Sequence, residues 1–309
     1  MPKHQVPQQY INPFTDFGFK KLFGEESSKE YLIDFLNSVF EDFIPKIKEL
    51  TYHKNEHLGN SENDRNAVFD LYCKSDKDER FIIELQKVEQ LYFKQRTLFY
   101  STFAIQEQAK KGIWDFKLMP IYCIGILNFT FHDNANKYLH FGKILDIQTK
   151  EVLLDTLNFA YIECPKFNKT INKNSSNHDK WLYAFTQLSN LDHMPNELKN
   201  KIFEEFFKQA NVLKLNKSDL ANYNNSIKYY RDLHNIEEQN LQKGLQKGVQ
   251  QGIKQGIQQG IQQGIKQGIE LGEHKKALAI AKALKNTKNL TIEQIAHSTG
   301  LNVEEIKKI

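Results

Sequence analysis

Two apolar segments separated by a short polar turn constrain the fold most, because together they predict a β-hairpin whose second strand carries polar side chains. The first segment, V-F-D-L-Y-C, covers residues 68–73, and the second, R-F-I-I-E-L-Q, covers residues 80–86. Side chains in a strand alternate between its two faces, so residues two positions apart share a face. We therefore expect Glu84 and Gln86 on one face of the second strand and Ile83 on the other.

The same hairpin offers a candidate metal site. Asp70 lies in the first segment and Glu84 in the second, joined by a turn rich in Asp and Lys. Mg²⁺ takes oxygen ligands and usually binds one or two protein carboxylates, leaving its other positions to water and phosphate. A metal held there would lower the pKa of an attacking water and neutralise charge on a reacting phosphate. The spacing alone also allows the alternative that both carboxylates are solvated residues of a half-exposed strand pair.

The order of predicted elements indicates the fold class. Ser27 and Glu30 have capping-box spacing ahead of a helical pattern, and three strand-like segments follow it. Residues 90–111 then read as a long helix and residues 119–129 as a buried strand. Helix, strand, strand, strand, helix and strand over residues 27–131 predict an α/β layer architecture with a mixed sheet.

Composition excludes several classes of protein. The longest nearly apolar run, residues 118–129, contains a proline and is far shorter than the ~20 residues of a membrane helix. The amino terminus has no apolar signal core, so we predict a cytoplasmic protein without a membrane segment. Cys73, Cys123 and Cys164 are far apart and lie in apolar stretches, which predicts buried thiols rather than disulfides or a metal knuckle. The net charge of +4 is too small to indicate a nucleic-acid partner by itself.

A period-four repeat dominates the carboxy-terminal part. Glycine recurs at every fourth position from Gly244 to Gly272, each followed by Leu, Val or Ile except at the end. These glycines would cost an isolated helix roughly 6 to 8 kcal/mol relative to alanine. The apolar residues would nevertheless form one stripe that rotates by about 40° per repeat. We favour a helix that packs against a partner chain, with a flexible linker as the alternative.

The last residues predict two short capped helices. Thr291 with Gln294, and Asn302 with Glu305, have the spacing of capping boxes. The pair is compatible with a helix-turn-helix that reads DNA. The second helix begins with Glu304 and Glu305, however, and these carboxylates repel phosphate. We therefore favour a small packing or oligomerisation module and keep DNA reading as the alternative.

A second motif with metal-site spacing is H-K-N-E-H at residues 53–57. It fits the H-x-x-E-H pattern of inverted zinc metalloproteases, which requires a helix. The flanking residues read as a strand that runs into a loop, where His53 and His57 would lie about 13 Å apart and would not share one zinc. We therefore expect no zinc site here.

The motifs taken together carry a resemblance to a known family. T-D-F-G-F-K-K-L-F-G, Y-L-I-D-F-L-N, F-D-L-Y-C, F-I-I-E-L-Q, R-T-L-F-Y and I-Y-C-I-G-I-L-N-F occur in this order within residues 10–131. The series resembles the recombination-promoting nuclease/putative transposase family, a branch of the PD-(D/E)xK nucleases. The resemblance implies a restriction-endonuclease-like mixed sheet flanked by helices and followed by an all-helical carboxy-terminal region. It also implies a metal-dependent DNA endonuclease that uses Mg²⁺, with Mn²⁺ or Ca²⁺ as alternatives.

The resemblance further assigns the centre of the site. Asp70 and Glu84 correspond to the metal ligands, and Gln86 stands where the wider superfamily has lysine. A glutamine can orient the attacking water but cannot act as a general base or as a cation. The adjacent Lys87 is expected to point to the other face of the strand.

The remaining assigned residues would bind phosphate or support the site. Asp16 matches the acidic position of the amino-terminal motif, and Lys20 follows it one helical turn later. Arg96 and Tyr100 match the helix that flanks the site and would lie on one face of it. The alternatives are that Asp16 caps its helix, that Arg96 forms a surface ion pair and that Tyr100 is a core aromatic.

The predicted organisation has four parts. Residues 1–167 form the PD-(D/E)xK-like nuclease domain, 168–240 a helical region, 241–275 the repeat and 276–309 the helical tail. The expected partners are DNA and a second copy of the chain, paired through the helical carboxy-terminal region. Two alternatives are a nuclease fold with weak or no turnover that binds DNA or protein, and a protein whose main role is oligomerisation through its tail.

Overall fold

The computed structural model describes residues 8–54, 56–57, 67–131 and 137–309. The chain forms two compact units, Met1–Glu237 and Glu238–Ile309. Each unit has a hydrophobic core of its own. The start of the amino terminus, which carries part of the prediction about a signal segment, lies outside the described residues, as do residues 58–66.

A mixed sheet lies at the centre of the first unit. Its strands in the described part of the chain are β1 Leu50–Tyr52, β4 Leu71–Ser75, β5 Arg80–Gln86, β6 Ile121–Leu127, β7 Leu139–Leu145 and β8 Val152–Glu163, and a separate two-stranded sheet contains β2 Glu56–His57 and β3 Ala67–Val68. The six strands follow the order β1-β4-β5-β6-β8-β7. β6 is parallel to both β5 and β8, whereas the other neighbours are antiparallel. The predicted α/β fold with a mixed sheet is confirmed.

Strand β5 separates two core layers. Phe81, Ile83 and Leu85 pack into the main core, whereas Ile82 belongs to a smaller core on the opposite face of the sheet. The alternation predicted from the sequence is therefore confirmed for the apolar residues. All seven residues of β5 are buried, including the polar ones. A carboxylate on the second face therefore lies in an environment with little water.

Four helices cover the face of the main core. They are α1 Asp16–Phe23, α2 Lys29–Val39, α4 Asn177–Gln187 and α5 Lys201–Ala210. Their contact residues are mostly aromatic, and Trp181 and Phe203 are fully buried. Helix α1 begins after Thr15, whose side chain accepts the Gly18 N–H, and it ends at Gly24. Because Thr15 is the cap, Asp16 occupies the first helical position and its carboxylate is available for another partner.

Helix α2 begins later than predicted. Its capping box does not use Ser27 and Glu30; Glu25 and Ser28 form the reciprocal hydrogen bonds instead. These bonds cap a short 3₁₀ turn that precedes α2 at Lys29. The sequence contains two overlapping pairs with capping-box spacing, and the predicted pair, Ser27 and Glu30, is the wrong one.

Helix α3, Phe93–Gln106, covers the second face of the sheet. It is shorter than the predicted helix over 90–111 because the residue after it is anchored to the sheet. Glu107 accepts hydrogen bonds from the Tyr72 hydroxyl at 2.6 Å and from Lys74 Nζ at 2.8 Å. Near the other end, α3 approaches Gly125 of β6 so closely that an added Cβ there would lie 3.0 Å from Phe93 Cζ. The glycine thus sets the distance between α3 and the sheet.

The long helix α6, Lys217–Thr287, contains the whole period-four repeat. The apolar residues of the repeat, from Leu245 to Ile269, remain 53 to 69% exposed. No atom lies within 4 Å of a Cβ added at any of the repeat glycines. Within the described part of the chain, the stripe and its glycine edge thus have no packing partner.

Two capped helices form the core of the second unit with the end of α6. They are α7 Ile292–Thr299 and α8 Val303–Lys308, and both capping boxes predicted from the sequence are present. Gly300 ends α7 with a φ of 72°, a conformation that favours glycine. Ile295 and Ile306 are buried against Ala281 of α6. Among the helices in the described ranges, none is long and apolar enough to cross a membrane.

Candidate active site

The centre of the candidate site is the carboxylate pair of Asp70 and Glu84. The β4–β5 register pairs Leu71 with Ile83, so the next residues outward along the hairpin are Asp70 and Glu84. The Asp70 N–H donates to Glu84 Oε1 at 3.3 Å, and the Leu85 N–H donates to Asp70 Oδ2 at 2.7 Å. The two predicted ligands are therefore brought together.

The sequence predicts that Asp70 lies within a strand. In the structure it lies in a bend directly before β4. Its side chain accepts the Leu85 N–H, a backbone donor of the neighbouring strand. This side-chain bond takes the place of a backbone ladder bond at the end of the hairpin. The bend therefore turns the carboxylate toward β5.

Both carboxylates are destabilised in their ionised form. Burial and the nearby negative charge of Asp70 raise the pKa of Glu84 to about 8, although Arg96 lowers it in part. Burial also raises the pKa of Asp70, with an opposing contribution from the Leu85 N–H. Two like charges in a poorly solvated site disfavour each other. A cation between them would relieve this cost.

Arg96 of α3 is the cation next to the pair. Its Nη2 lies 3.8 Å from Glu84 Oε2, and its guanidinium also donates hydrogen bonds to the side chains of Gln86 and Gln90. The guanidinium lies 5.7 Å from the centre of the Tyr100 ring. Arg96 therefore does not form an ordinary surface ion pair, because its acidic partner is a buried carboxylate of the candidate site.

Gln86 and Tyr100 surround Arg96. Gln86 is buried; its Oε1 accepts from Arg96 and its Nε2 donates to the Val88 carbonyl at 3.0 Å. Tyr100 packs edge-on against Phe69, with ring centres 5.3 Å apart. Burial and the charge of Glu84 raise the pKa of its hydroxyl, which also indicates that Tyr100 lies near the pair. Both residues hold the guanidinium in position.

Lys87 lies at the site, contrary to the expectation that it points away. Strand β5 ends at Gln86, so strand alternation no longer applies to the next residue. Lys87 Nζ lies 2.7 Å from Asp16 Oδ1, and the Lys87 side chain is only 8% exposed. The positive charges of Lys20 and Lys87 lower the pKa of Asp70, whereas Asp16 raises it. The predicted residues Asp16 and Lys20 are thus near the pair together with a lysine that the sequence reasoning missed.

The beginning of α6 forms a further wall that the sequence reasoning did not predict. Lys87 Nζ lies 5.2 Å from the centre of the Tyr229 ring. Next to it, the Asn128 side chain donates to the Tyr230 hydroxyl at 3.1 Å, and the Asn128 N–H donates to the Gln86 carbonyl at 2.9 Å. No local sequence signal relates α6 to the hairpin, because these residues are about a hundred or more positions apart.

The H-K-N-E-H motif at residues 53–57 is extended in those of its residues that the structure describes. His53 follows β1, its N–H donates to the Tyr72 carbonyl at 2.8 Å, and His57 ends β2. Asn55 lies outside the described residues. In the described ranges there is no cluster of three or more His, Cys, Asp and Glu residues that would hold a metal. The prediction that the motif is extended rather than helical is confirmed for its described residues.

A mixed sheet with a carboxylate pair on the hairpin next to its parallel strands is the arrangement of a PD-(D/E)XK nuclease. The family model described as PD-(D/E)XK nuclease family transposase matches residues 13–240, and the chain belongs to this family. No curated relative and no solved structure matches the chain. The resemblance inferred from the sequence is confirmed, and with it a function of the nuclease type. Nucleases of this class typically use divalent metals and act on DNA.

The donor set of the pair fits a divalent metal of the magnesium type. Asp70 and Glu84 supply carboxylate oxygens and no nitrogen or sulfur ligand. Mg²⁺ commonly binds one or two carboxylates and completes its shell with water and phosphate oxygens. Burial is the main cause of the raised pKa values of both groups, and a bound divalent cation would favour their ionised forms.

Proposed function

We propose that the chain is a metal-dependent DNA endonuclease in which Asp70 and Glu84 hold Mg²⁺, or Mn²⁺ or Ca²⁺ in its place. The observation that carries the proposal is that backbone N–H groups of the hairpin hold both carboxylates: Glu84 accepts the Asp70 N–H, and Asp70 accepts the Leu85 N–H. Such bonding fixes both side chains before any ligand arrives. A bound divalent ion would lower the pKa of an attacking water and stabilise negative charge on the phosphate.

The other residues have distinct roles in this proposal. Arg96 contacts the scissile phosphate, because its guanidinium lies beside Glu84 and offers several donors in one plane. Gln86 orients the attacking water, and its hydrogen bond to Arg96 supports a second role as a positioning residue. Lys20 and Lys87 favour the ionised form of Asp70, which is the form that binds metal. Tyr100 supports Arg96 with its ring.

Cleavage of supercoiled plasmid tests the proposal. The purified chain is incubated with plasmid and Mg²⁺, Mn²⁺ or Ca²⁺, beside Asp70→Asn and Glu84→Gln, which conserve side-chain size. The exposed carboxylate of Asp76 in the hairpin turn provides the matched control, Asp76→Asn. We expect both site variants to lose nicking by about 10²-fold or more, as when charge stabilisation is removed, and the control to retain it. Unchanged nicking in both site variants would overturn the assignment.

The second candidate function is a nuclease fold with weak or no turnover that binds DNA or protein. It is favoured by Gln86, which stands in place of lysine and whose two polar ends already bind Arg96 and Val88. A DNA mobility shift by the wild-type chain without nicking in any of the three metals would support this function over the first.

We also propose that the carboxy-terminal region pairs two copies of the chain. The exposed apolar stripe of the repeat lies beside glycines that offer room for close backbone approach. Light scattering on the full chain and on a chain that ends at Glu237 tests this. We expect the full chain to form the larger species. Equal association of both chains would show that the repeat is not the pairing element.

A further inference from the structure

A groove on the surface of α3 adjoins the candidate site. Its volume is about 450 Å³, and its lining residues are Gln90, Leu91, Tyr92, Gln95, Arg96 and Phe99. This volume lies within the range of about 300 to 1,000 Å³ that is common for small-molecule sites. Leu91 and Tyr92 are 83% and 67% exposed, and Phe99 is 43% exposed. Large apolar and aromatic groups therefore face solvent here.

Arg96 belongs both to the groove and to the candidate site. Its guanidinium binds Gln90, which lines the groove, and also reaches Gln86 and Glu84. Tyr92 is the residue that precedes α3, and Arg96 and Phe99 follow it within the helix; all three side chains line the same groove. Tyr92 lies about 6 Å from Arg96 along the axis, from the helical rise of 1.5 Å per residue.

We propose that this groove binds an unpaired nucleobase of the substrate strand, with Tyr92 and Phe99 as the residues that contact the base. The inference rests on the proposed nuclease function, because the groove would take the base next to the phosphate held by Arg96. A nucleotide combines an anionic phosphate with a flat aromatic ring. The groove offers the matching groups, a guanidinium and exposed aromatic rings.

The exposed rings favour an unpaired base over a duplex. Bases in a duplex have their faces covered by neighbouring base pairs, so aromatic side chains stack on bases only in single strands, at ends or after base flipping. Stacking on an aromatic side chain tolerates any base, because each base has a π-face. The groove would therefore select strand structure rather than sequence.

Fluorescence anisotropy with labelled oligonucleotides tests the proposal on the full chain. A single-stranded oligonucleotide and a blunt duplex of the same sequence are titrated with wild type, Tyr92→Ala, Phe99→Ala and Tyr92→Phe, in Ca²⁺ and without metal. The control is Phe116→Ala, since Phe116 is 77% exposed and lies beyond the opposite end of α3. We expect each alanine variant in the groove to raise the Kd for the single strand about five-fold or more. The Kd for the duplex should change less than the Kd for the single strand. Tyr92→Phe and Phe116→Ala should bind both oligonucleotides like wild type.

Several outcomes would overturn the inference. These are a wild-type chain that binds no single strand, groove variants that bind it normally, and equal losses for single strand and duplex. A change of oligomeric state in Tyr92→Ala, seen by light scattering, would instead make the groove an interface between copies of the chain. The binding assay does not depend on cleavage. If wild type nicks plasmid, Glu84→Gln does not, and Tyr92→Ala binds the single strand normally, the groove alone is rejected. If wild type does not nick plasmid but Tyr92→Ala binds the single strand more weakly than wild type, only the nuclease function is rejected.

Discussion

Lys87 Nζ lies 2.7 Å from Asp16 Oδ1, so the residue that follows β5 is held by the first turn of α1. The Lys87 side chain is almost fully buried, whereas that of Asp16 is about half exposed. A buried ammonium requires a partner, since an unpaired charge away from water is costly. The ion pair thereby keeps a positive charge near Asp70. The wider superfamily has a lysine at position 86, where this chain has Gln86.

Replacing Lys87 by methionine tests this role. Because Lys87 lowers the pKa of Asp70, Lys87→Met should raise that pKa and shift the acidic limb of the pH–nicking profile to higher pH. The exposed Lys77 in the hairpin turn gives the control Lys77→Met, whose pH–nicking profile should match that of wild type. An unchanged pH–nicking profile in Lys87→Met would contradict the role.

Replacing Gln86 by the lysine of the wider superfamily should lower the rate of nicking rather than raise it. Gln86 is buried and accepts a hydrogen bond from Arg96, so the ammonium of Gln86→Lys would face the guanidinium without water. We expect a lower Tm and at least about ten-fold less nicking, as for other buried groups left without a partner. Gln86→Met, which loses the hydrogen bond but adds no charge, should be less impaired. Nicking above the wild-type rate in Gln86→Lys would refute this reasoning.

Gly125→Ala should displace α3. The added Cβ would lie 2.8 Å from Tyr161 Cδ1 and 3.0 Å from Phe93 Cζ, and Phe93 is one helical turn from Arg96. Overpacking of this kind typically costs about 1 to 3 kcal/mol of the free energy of unfolding. We expect a lower Tm and reduced nicking, measured by calorimetry and plasmid cleavage. Gly142→Ala in β7 is the control, because its nearest neighbour is at 3.6 Å; equal effects of both substitutions would count against the close approach.

Divalent metal should stabilise the fold through the carboxylate pair. A ligand that binds only the folded state adds about 2.7 kcal/mol when its concentration is 100 times its Kd. We expect Mg²⁺, Mn²⁺ or Ca²⁺ to raise the Tm of the wild-type chain, and to raise it little in Asp70→Asn or Glu84→Gln. The measurement is thermal unfolding with and without chelator and needs no substrate. A metal shift that survives in both variants would place the binding site elsewhere.

Glu107 gives a pH-dependent contribution to stability. Burial alone would raise its pKa, but hydrogen bonds from Lys74 and Tyr72 lower it below the ordinary value of 4.5. A lowered pKa in the folded state stabilises the fold above pH 4.5, and the contribution is lost as the pH falls through the folded-state pKa. The Tm of Glu107→Gln should therefore be lower than that of wild type at pH 7, with a difference that shrinks below pH 4.5. Glu151→Gln, at an exposed position, should show no such trend.

The hairpin and its carboxylates were predictable because their signals are local. Alternation fixes the faces of β5, and a short turn forces β4 against it, so Asp70 and Glu84 follow from adjacent stretches of sequence. The position of Arg96 came from the family resemblance, since its spacing alone fits many surface helices. Local patterns were enough for the mixed α/β class and for the two capped helices near the carboxy terminus.

Features that depend on where an element ends, or on distant contacts, were not predictable. The expectation for Lys87 failed because β5 stops one residue earlier, and no pattern marks that end. The shorter α3 depends on Glu107 reaching Tyr72 and Lys74, which only tertiary contacts reveal. The wall at Tyr229 likewise comes from a segment far along the chain. Its sequence gave no reason to connect it with the hairpin.

Both proposed metal ligands come from one hairpin, in which Glu84 accepts the Asp70 N–H and Asp70 accepts the Leu85 N–H. A single inserted or deleted residue in the turn at 76–79 would shift one ligand relative to the other and turn its side chain to the opposite face. We therefore expect the length of this turn to be as constrained as the carboxylates themselves. Among relatives, we expect loops elsewhere in the chain to vary in length while this turn keeps its length. A relative with an insertion or deletion in this turn should lack metal-dependent cleavage.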